Sequence, residues 1–380
     1  MNNKIKLLHI ITHLPIGGAQ DNTLYTIELL NKKKYDISLC CNLSGELVER
    51  AKKIKDIKLI NIPILSRDVN LINDTRAFLA LYKIIKKENY DIIHTHSSKA
   101  GFLGRIASKI NKVPIIIHTV HGFPFNDFMN FFKKNFYILI EKLLANWTDV
   151  LITVSNLNKK KIIDLGISKK DKIYNIYSGI DLKIFDRKND RSFKKELKLG
   201  DNEILIGAVG RLSGQKDPIT LISAFNLVNK KFPDAHLVFV GDGPLRNKIT
   251  KMIKKLKLTS KVHLIGNIHN TWPVYHSLDL FVMSSIYEGL GRSITEALSC
   301  GVPVVCTGVE GVPEIIKNGE TGFLVEPRDI EGLANSIIYS LQNLSAAKEI
   351  ASEGRKFVHK NFDVNKMVQE IDLVYQNHII

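Results

Sequence analysis

Two carboxylates bracket a glycine turn in the segment Tyr287-Glu288-Gly289-Leu290-Gly291-Arg292-Ser293-Ile294-Thr295-Glu296-Ala297-Leu298. Glu288 precedes the helix that this segment enters, and Glu296 falls within its first turns. The two acids therefore need not share a face and can reach different parts of an extended ligand. Carboxylates hold hydroxyl groups, while the backbone N–H groups around Gly291, Arg292 and Ser293 suit an anion at the start of a helix. A second reading fits equally, because Ser293-Ile294-Thr295-Glu296 matches a capping box in which Glu296 reaches back to the Ser293 backbone. Spacing alone does not choose between them.

A complementary basic loop precedes it in the chain. Gly210-Arg211-Leu212-Ser213-Gly214-Gln215-Lys216-Asp217-Pro218 follows an apolar run, and Asp217 before Pro218 makes a helix N-cap and first-turn pair. Arg211 and Lys216 then project from a short glycine-containing loop, placed to make charge-assisted hydrogen bonds to a diphosphate; the alternative is a solvated basic loop. Nearer the start, His13-Leu14-Pro15-Ile16-Gly17-Gly18-Ala19-Gln20 leads into another helix, and Gly17 and Gly18 let backbone N–H groups approach an anion or simply form a turn. The dinucleotide fingerprint G-x-G-x-x-G is absent.

Histidines supply a third kind of group. His121, in His118-Thr119-Val120-His121-Gly122-Phe123, ends an apolar run where an imidazole can contact a reacting centre. His94 and His96, in Asp91-Ile92-Ile93-His94-Thr95-His96, point to one side of a strand with no third ligand evident, so no metal site is expected. No D-x-D triplet offers itself to a cation-bound diphosphate.

Positioning these loops requires strands that end at them. Ile- and Val-rich runs alternate with amphipathic stretches, the pattern of βαβ units around a parallel sheet. Strands are predicted at Leu7–Thr12, Ile37–Cys41, Ile92–His96, Ile115–Val120 and Val150–Val154. A second set follows at Ile204–Val209, His236–Val240, Val262–Ile265, Leu280–Val282, Val304–Cys306 and Phe323–Val325. The chain is thus read as α/β with two doubly wound sheets, and Tyr177–Lys195, poor in large apolar residues, as the linker. Ligands of such sheets bind beyond the strands' carboxyl ends, so one substrate in a central cleft between two Rossmann-like domains is the expectation.

At 380 residues, 44% apolar and 24% charged, the composition is that of a globular protein of two domains. The net charge of +16 lies entirely in the first half, where residues 1–200 hold 35 Lys and Arg against 19 Asp and Glu, while the remainder balances at 19 each. That asymmetry suits an anionic surface facing one half, a membrane or nucleic acid, or follows from a Lys/Ile-rich genome. The cluster Phe123, Phe125, Phe128, Phe131, Phe132, Phe136 and Tyr137, with Lys133 and Lys134, reads either as a bilayer-interface segment or as a core helix. Cys40, Cys41, Cys300 and Cys306 form no C-x-x-C pair and are expected to be reduced. The run Leu7–Thr12 is too short to span a bilayer and is read as a first strand, which implies a cytoplasmic protein.

Taken in order, Gly17-Gly18, His94 to Gly101, Thr119 to Gly122, Gly210-Arg211-Leu212, Gln215-Lys216, Val240-Gly241-Asp242-Gly243-Pro244, Glu288 to Glu296 and Gly301-Val302-Pro303-Val304-Val305 resemble glycosyltransferase family four, over nearly the whole chain. The resemblance implies a GT-B fold, retaining sugar transfer from a nucleotide diphosphate sugar without metal or resident cofactor, UDP favoured over GDP, and a hexose or N-acetylhexosamine as cargo. It implies a glycan or lipid-linked acceptor in bacterial surface-polysaccharide or lipopolysaccharide synthesis, and the basic charge of the first half adds the expectation of peripheral contact with an anionic membrane at the inner face of the cytoplasmic membrane. On its pattern Arg211 and Lys216 bind the diphosphate, Glu296 the ribose, Glu288 the transferred sugar, and the Gly291, Arg292 and Ser293 amides a phosphate. His121 lies beside the anomeric carbon, Gly17 and Gly18 beside the phosphates and acceptor, and Gly266 and Asn267 near the base. The expected domains are 1–182, with helix 362–380 packing back on it, and 183–361. A GT-B UDP-sugar epimerase is the enzymatic rival and a basic nucleic-acid-binding protein the non-enzymatic one; the family pattern expects no nucleic acid partner.

Overall fold

The computed structural model describes residues 4–126, 129–187, 192–200 and 202–379. The chain divides into two compact units, Met1–Gly179 with Val364–Ile380, and Ile180–Asp363.

The first unit is built on seven parallel strands: β1 (Ile5–His13), β2 (Tyr35–Asn42), β3 (Ile57–Asn61), β4 (Ile92–His96), β5 (Ile115–Val120), β6 (Val150–Thr153) and β7 (Ile173–Asn175). They lie in the order β3-β2-β1-β4-β5-β6-β7. The second unit carries β8 (Ile204–Val209), β9 (Ala235–Val240), β10 (Val262–Gly266), β11 (Leu280–Met283), β12 (Val304–Thr307) and β13 (Phe323–Val325), ordered β10-β9-β8-β11-β12-β13. Each sheet reverses its winding once, at β1/β4 and at β8/β11, and these are the switch points where doubly wound sheets open for ligands.

Burial on both faces explains why most strands are continuous apolar runs. Leu7, Ile11, Ile37, Leu39, Ile92 and Ile117 pack on one face of the first sheet against Met367, Val368, Ile371 and Tyr375 of the helix Val364–His378. Leu8, Ile10 and Ile93 face the opposite side, toward Leu81, Ile85 and Leu103. In the second unit Ile206, Leu237, Phe239, Leu280 and Val282 pack with Leu221, Phe225, Ile249 and Ile337 from the surrounding helices.

Two strands escaped the sequence pattern, both at sheet edges. β3 is half-buried and carries Lys58 among its apolar residues, and β7 is three residues long. The described residues of the segment read as a linker include helices Leu182–Phe185 and Ser192–Glu196, and Phe185, Phe193 and Lys194 are buried. The Lys194 ammonium lies 2.8 Å from the Asp279 carboxylate, so a charge that looks like linker surface is in fact paired inside the second unit.

The aromatic cluster resolves one open choice. In the helix Phe131–Asn146, Phe131, Phe132 and Phe136 are 72%, 81% and 60% exposed, so they are not core residues. The helix instead anchors through Ile138, Leu144 and Ala145. Phe128 lies outside the described residues. No helix among the described residues is long and apolar enough to cross a membrane.

Candidate functional site

The chemistry-bearing loops of the second unit gather at one edge of its sheet because β8, β9, β10 and β11 are neighbours there. Gly210 leaves β8 at φ 149, and its missing side chain admits the Lys216 stem, which would stand 3.1 Å from a Cβ at that position. Gly241 leaves β9 at φ 131, with the Gly210 carbonyl oxygen 2.2 Å from where its Cβ would be. Its N–H donates to the Gly266 carbonyl at the end of β10 (2.7 Å), which seats Gly266 and Asn267 at the same edge. As the sequence indicates, Asp217 caps the helix Pro218–Lys231, its carboxylate accepting from the Thr220 N–H. The loop Gly210–Asp217 is thereby fixed at both ends.

Lys216 and Glu288 meet across the switch point. The Lys216 ammonium is 2.5 Å from Glu288 Oε1, and the side chains are 23% and 9% exposed. The Ser285 hydroxyl donates to the same oxygen (2.7 Å). The Glu288 N–H donates to the Glu310 carboxylate (3.0 Å), and Gln215 Nε2 donates to the Tyr287 carbonyl (3.1 Å), so the two loops are held together through the backbone as well. Arg211 is exposed on the same loop.

The turn at Gly291 settles the capping question. Gly291 adopts φ 93, which starts the helix Arg292–Ser299 directly behind it, with no side-chain cap. Ser293 is then a second helical residue and not the cap, so Glu296 lies too far into the helix to close the box. Its carboxylate accepts from the Tyr275 hydroxyl (2.8 Å) and pairs with Arg292 Nε (3.2 Å). The amides of Arg292 and Ser293 belong to the first turn, whose N–H groups have no partner within the helix and mark its positive end.

In the first unit, Gly17 precedes the helix Gly18–Leu29 just beyond β1, and the Gln20 amide donates to the His13 carbonyl (3.3 Å), tying that helix start to the strand end. His121 follows β5 and is half-buried. Behind it stands a third imidazole that the linear pattern hid: β1 pairs with β4 so that His9 sits opposite His94, on the same sheet face as His94 and His96. His9, His94 and His96 each offer a nitrogen within 4.8 Å of the others. Both His94 nitrogens are already engaged, Nδ1 with the Tyr375 hydroxyl (2.6 Å) and Nε2 with Thr119 Oγ1 (2.7 Å). His9 is thus the third imidazole that was not evident beside His94 and His96 in the sequence, although hydrogen bonds already occupy His94. Burial pushes the His9 pKa down to about 3 and that of His121 to about 4, and holds His94, His96 and His118 well below the usual imidazole range.

A family model described as Glycosyltransferase Family 4 matches residues 16–184, and one described as Glycosyl transferases group 1 matches residues 188–357. The Escherichia coli UDP-Gal:alpha-D-GlcNAc-diphosphoundecaprenol alpha-1,3-galactosyltransferase is 32% identical across 100% of this chain and 98% of its own length. The chain belongs to glycosyltransferase family four. The Staphylococcus aureus capsular polysaccharide biosynthesis glycosyltransferase CapM is 29% identical over 98% of the chain and 97% of CapM. Anabaena HepE, solved with UDP-glucose, superposes with a TM-score of 0.83 at 22% identity, covering 98% of this chain and all of HepE, which shows the shared GT-B fold. This family-four member is therefore a glycosyltransferase, and its two parallel sheets are the Rossmann-like domains of that fold.

Residues beyond the sequence reading complete the picture. Ser285, after β11, and Tyr275, in the helix Trp272–Ser277, donate to the Glu288 and Glu296 carboxylates, Glu310, after β12, accepts from the Glu288 backbone N–H, and His9 backs the histidine row. A buried-strand histidine opposite His94 in β1 was the one available clue, and it depends on knowing the register.

Proposed function

We propose that this glycosyltransferase moves a hexose or N-acetylhexosamine from a UDP-sugar, with retention and without a metal, to a lipid-linked glycan in bacterial surface-polysaccharide synthesis. The observation that carries the proposal is the Lys216–Glu288 pair at the β8/β11 switch point, next to the Gly291 turn. It sets a cation for the departing diphosphate, a carboxylate for sugar hydroxyls and first-turn amides for a phosphate at one sheet edge. In the resting protein the ammonium and carboxylate neutralise each other; a bound diphosphate supplies the lysine with a second anion and frees carboxylate lone pairs for hydroxyl groups.

In the proposed reaction the bond between the anomeric carbon and the β-phosphate oxygen breaks, with positive charge building on the sugar ring and negative charge on the UDP. Arg211, Lys216 and the Gly291, Arg292 and Ser293 amides stabilise the latter. The acceptor hydroxyl oxygen bonds to the anomeric carbon on the face that the phosphate leaves, and its proton passes to the departing phosphate oxygen. Glu288 and His121 orient sugar hydroxyls, Glu296 binds the ribose, Gly266 and Asn267 lie by the base, and Gly17 and Gly18 flank phosphate and acceptor. The names of the relatives support the donor and acceptor classes: the Escherichia coli protein uses UDP-Gal and a diphosphoundecaprenol acceptor, and HepE was solved with UDP-glucose.

A lipid-linked acceptor calls for residence at a membrane. Phe132, Phe136, Leu139 and Leu143 are exposed along one stripe of the helix Phe131–Asn146, with Trp147 at its end and Lys133 exposed beside it. The stripe suits shallow insertion into an anionic interface, where each nearby Lys or Arg adds about 1 kcal/mol.

The test is product analysis with UDP-galactose, UDP-glucose and their N-acetylated forms, each with and without a polyprenyl-diphosphate sugar acceptor. An acceptor-dependent product with the donor's anomeric configuration supports the proposal. Sugar inversion at a ring carbon with donor alone, or an inverted anomeric linkage, overturns it.

A further inference from the structure

The imidazoles of His9, His96 and His121 form a hydrogen-bonded row that the function above uses only at its outer end. His9 Nδ1 is 3.0 Å from His96 Nε2, and His96 Nδ1 is 3.2 Å from His121 Nε2. At the inner end His9 Nε2 is buried without a hydrogen-bond partner among the described residues. At the outer end His121 is half-buried, and its Nδ1 makes no hydrogen bond among the described residues. Loss of hydration keeps all three rings neutral at ordinary pH.

A neutral imidazole carries one N–H and one lone pair, so the row has two self-consistent protonation patterns. In the outward pattern His9 Nδ1–H donates to His96 Nε2, His96 Nδ1–H donates to His121 Nε2, and His121 carries its proton on Nδ1. The leftover is a bare lone pair at His9 Nε2. In the inward pattern every proton moves to Nε2, and His9 then buries an N–H with no acceptor. Orphaned buried N–H groups are rarer in proteins than under-satisfied acceptors, which selects the outward pattern. The neighbouring rings do not compete for these positions: His94 is held by Tyr375 and Thr119, and His118 Nδ1 lies 2.9 Å from Thr95 Oγ1.

We propose that His96 and His9 are positioning residues that hold His121 as its Nδ1–H tautomer, so that His121 presents a hydrogen-bond donor, not a lone pair, to a hydroxyl oxygen of the sugar. The second half rests on the assignment of His121 to the sugar; the tautomer itself does not. One consequence is that His121 Nδ1 cannot take the acceptor's proton, which leaves that task to the departing phosphate.

The experiment is multiple-bond proton–nitrogen correlation NMR on the full chain with nitrogen-15 histidine, near neutral pH, using His121→Asn to assign the ring. The expected spectrum shows the protonated nitrogen of His121 at Nδ1, against the Nε2–H preference of histidine in water. In His96→Leu the His121 ring should revert to the Nε2–H form and kcat should fall about tenfold, the worth of one oriented hydrogen bond, with KM for the donor little changed. A wild-type His121 protonated on Nε2 overturns the proposal, as does an unchanged tautomer in His96→Leu; should that variant not fold, the wild-type spectrum decides. Undiminished kcat in His121→Asn would overturn the sugar contact separately.

Discussion

Removing the Lys216 ammonium tests the diphosphate assignment through two opposed costs. Lys216 lies 2.5 Å from Glu288, and with it gone the carboxylate, 9% exposed, keeps the Ser285 hydroxyl on that oxygen. Breaking a fully buried pair costs about 3–5 kcal/mol, but Lys216 is 23% exposed and water can reach the gap, so about 1–2 kcal/mol of stability is the expected loss in Lys216→Ala. The effect on turnover is larger. A preorganised donor on developing charge is worth about 2.7–4 kcal/mol, which corresponds to a kcat lowered about 100- to 1,000-fold. The unpaired Glu288 also repels the incoming diphosphate, so donor affinity should weaken as well. The assay is UDP release at saturating donor and acceptor, beside a chemical denaturation curve. Glu288→Gln separates the terms: it removes the repulsion and leaves the lysine free, so UDP alone should bind more tightly than to wild type while transfer still slows. Near-normal kcat in Lys216→Ala with saturating donor would rule out Lys216 as a diphosphate ligand, as would UDP binding that weakens in Glu288→Gln.

Other consequences follow from the same geometry. Glu296→Gln keeps an oxygen for the Tyr275 hydroxyl, so stability should change by no more than about 1 kcal/mol while donor affinity drops about tenfold; equal losses of both would make Glu296 a structural residue. Because burial lowers the folded-state pKa of His9, His94, His96, His118 and His121, the unfolded chain binds more protons below about pH 6.5. Stability should therefore be full above that pH and fall as pH drops toward 4, by up to about 1.4 kcal/mol per pH unit for each of these histidines; a urea midpoint that is flat between pH 7 and 5 would contradict this. Serine at Phe132, Phe136 and Leu139 together should abolish sedimentation with anionic vesicles at low salt and leave the melting temperature nearly unchanged, since these side chains are exposed; equal sedimentation of the triple variant would dissociate that helix from the membrane.

Much of the scaffold is legible because its strands are buried on both faces. Ile92–His96, Ile115–Val120, Ile204–Val209 and Phe323–Val325 have the bounds that the apolar runs indicate. Strands with a wet face or little length, β3 and β7, carry no such run, and the burial of Lys194 rests on a tertiary partner, Asp279, that the local sequence does not show. At the site, residue types and loop positions were readable, but pairing was not. Lys216 and Glu288 are far apart in sequence and meet only because β8 and β11 are neighbours, and His9 joins His96 only through the register of β1 on β4. The capping alternative at Glu296 failed on one backbone angle, the positive φ of Gly291, which started the helix too early for the box.

On the proposed function, the carboxyl-end edge of the second unit's sheet holds the pyrophosphate of a sugar nucleotide. A crystal structure with a UDP-sugar bound should show phosphate oxygens within hydrogen-bond distance of Lys216 Nζ and the Ser293 amide, with sugar hydroxyls on Glu288. A nucleotide seated elsewhere, or one whose phosphates leave the Lys216–Glu288 pair undisturbed and distant, would contradict it.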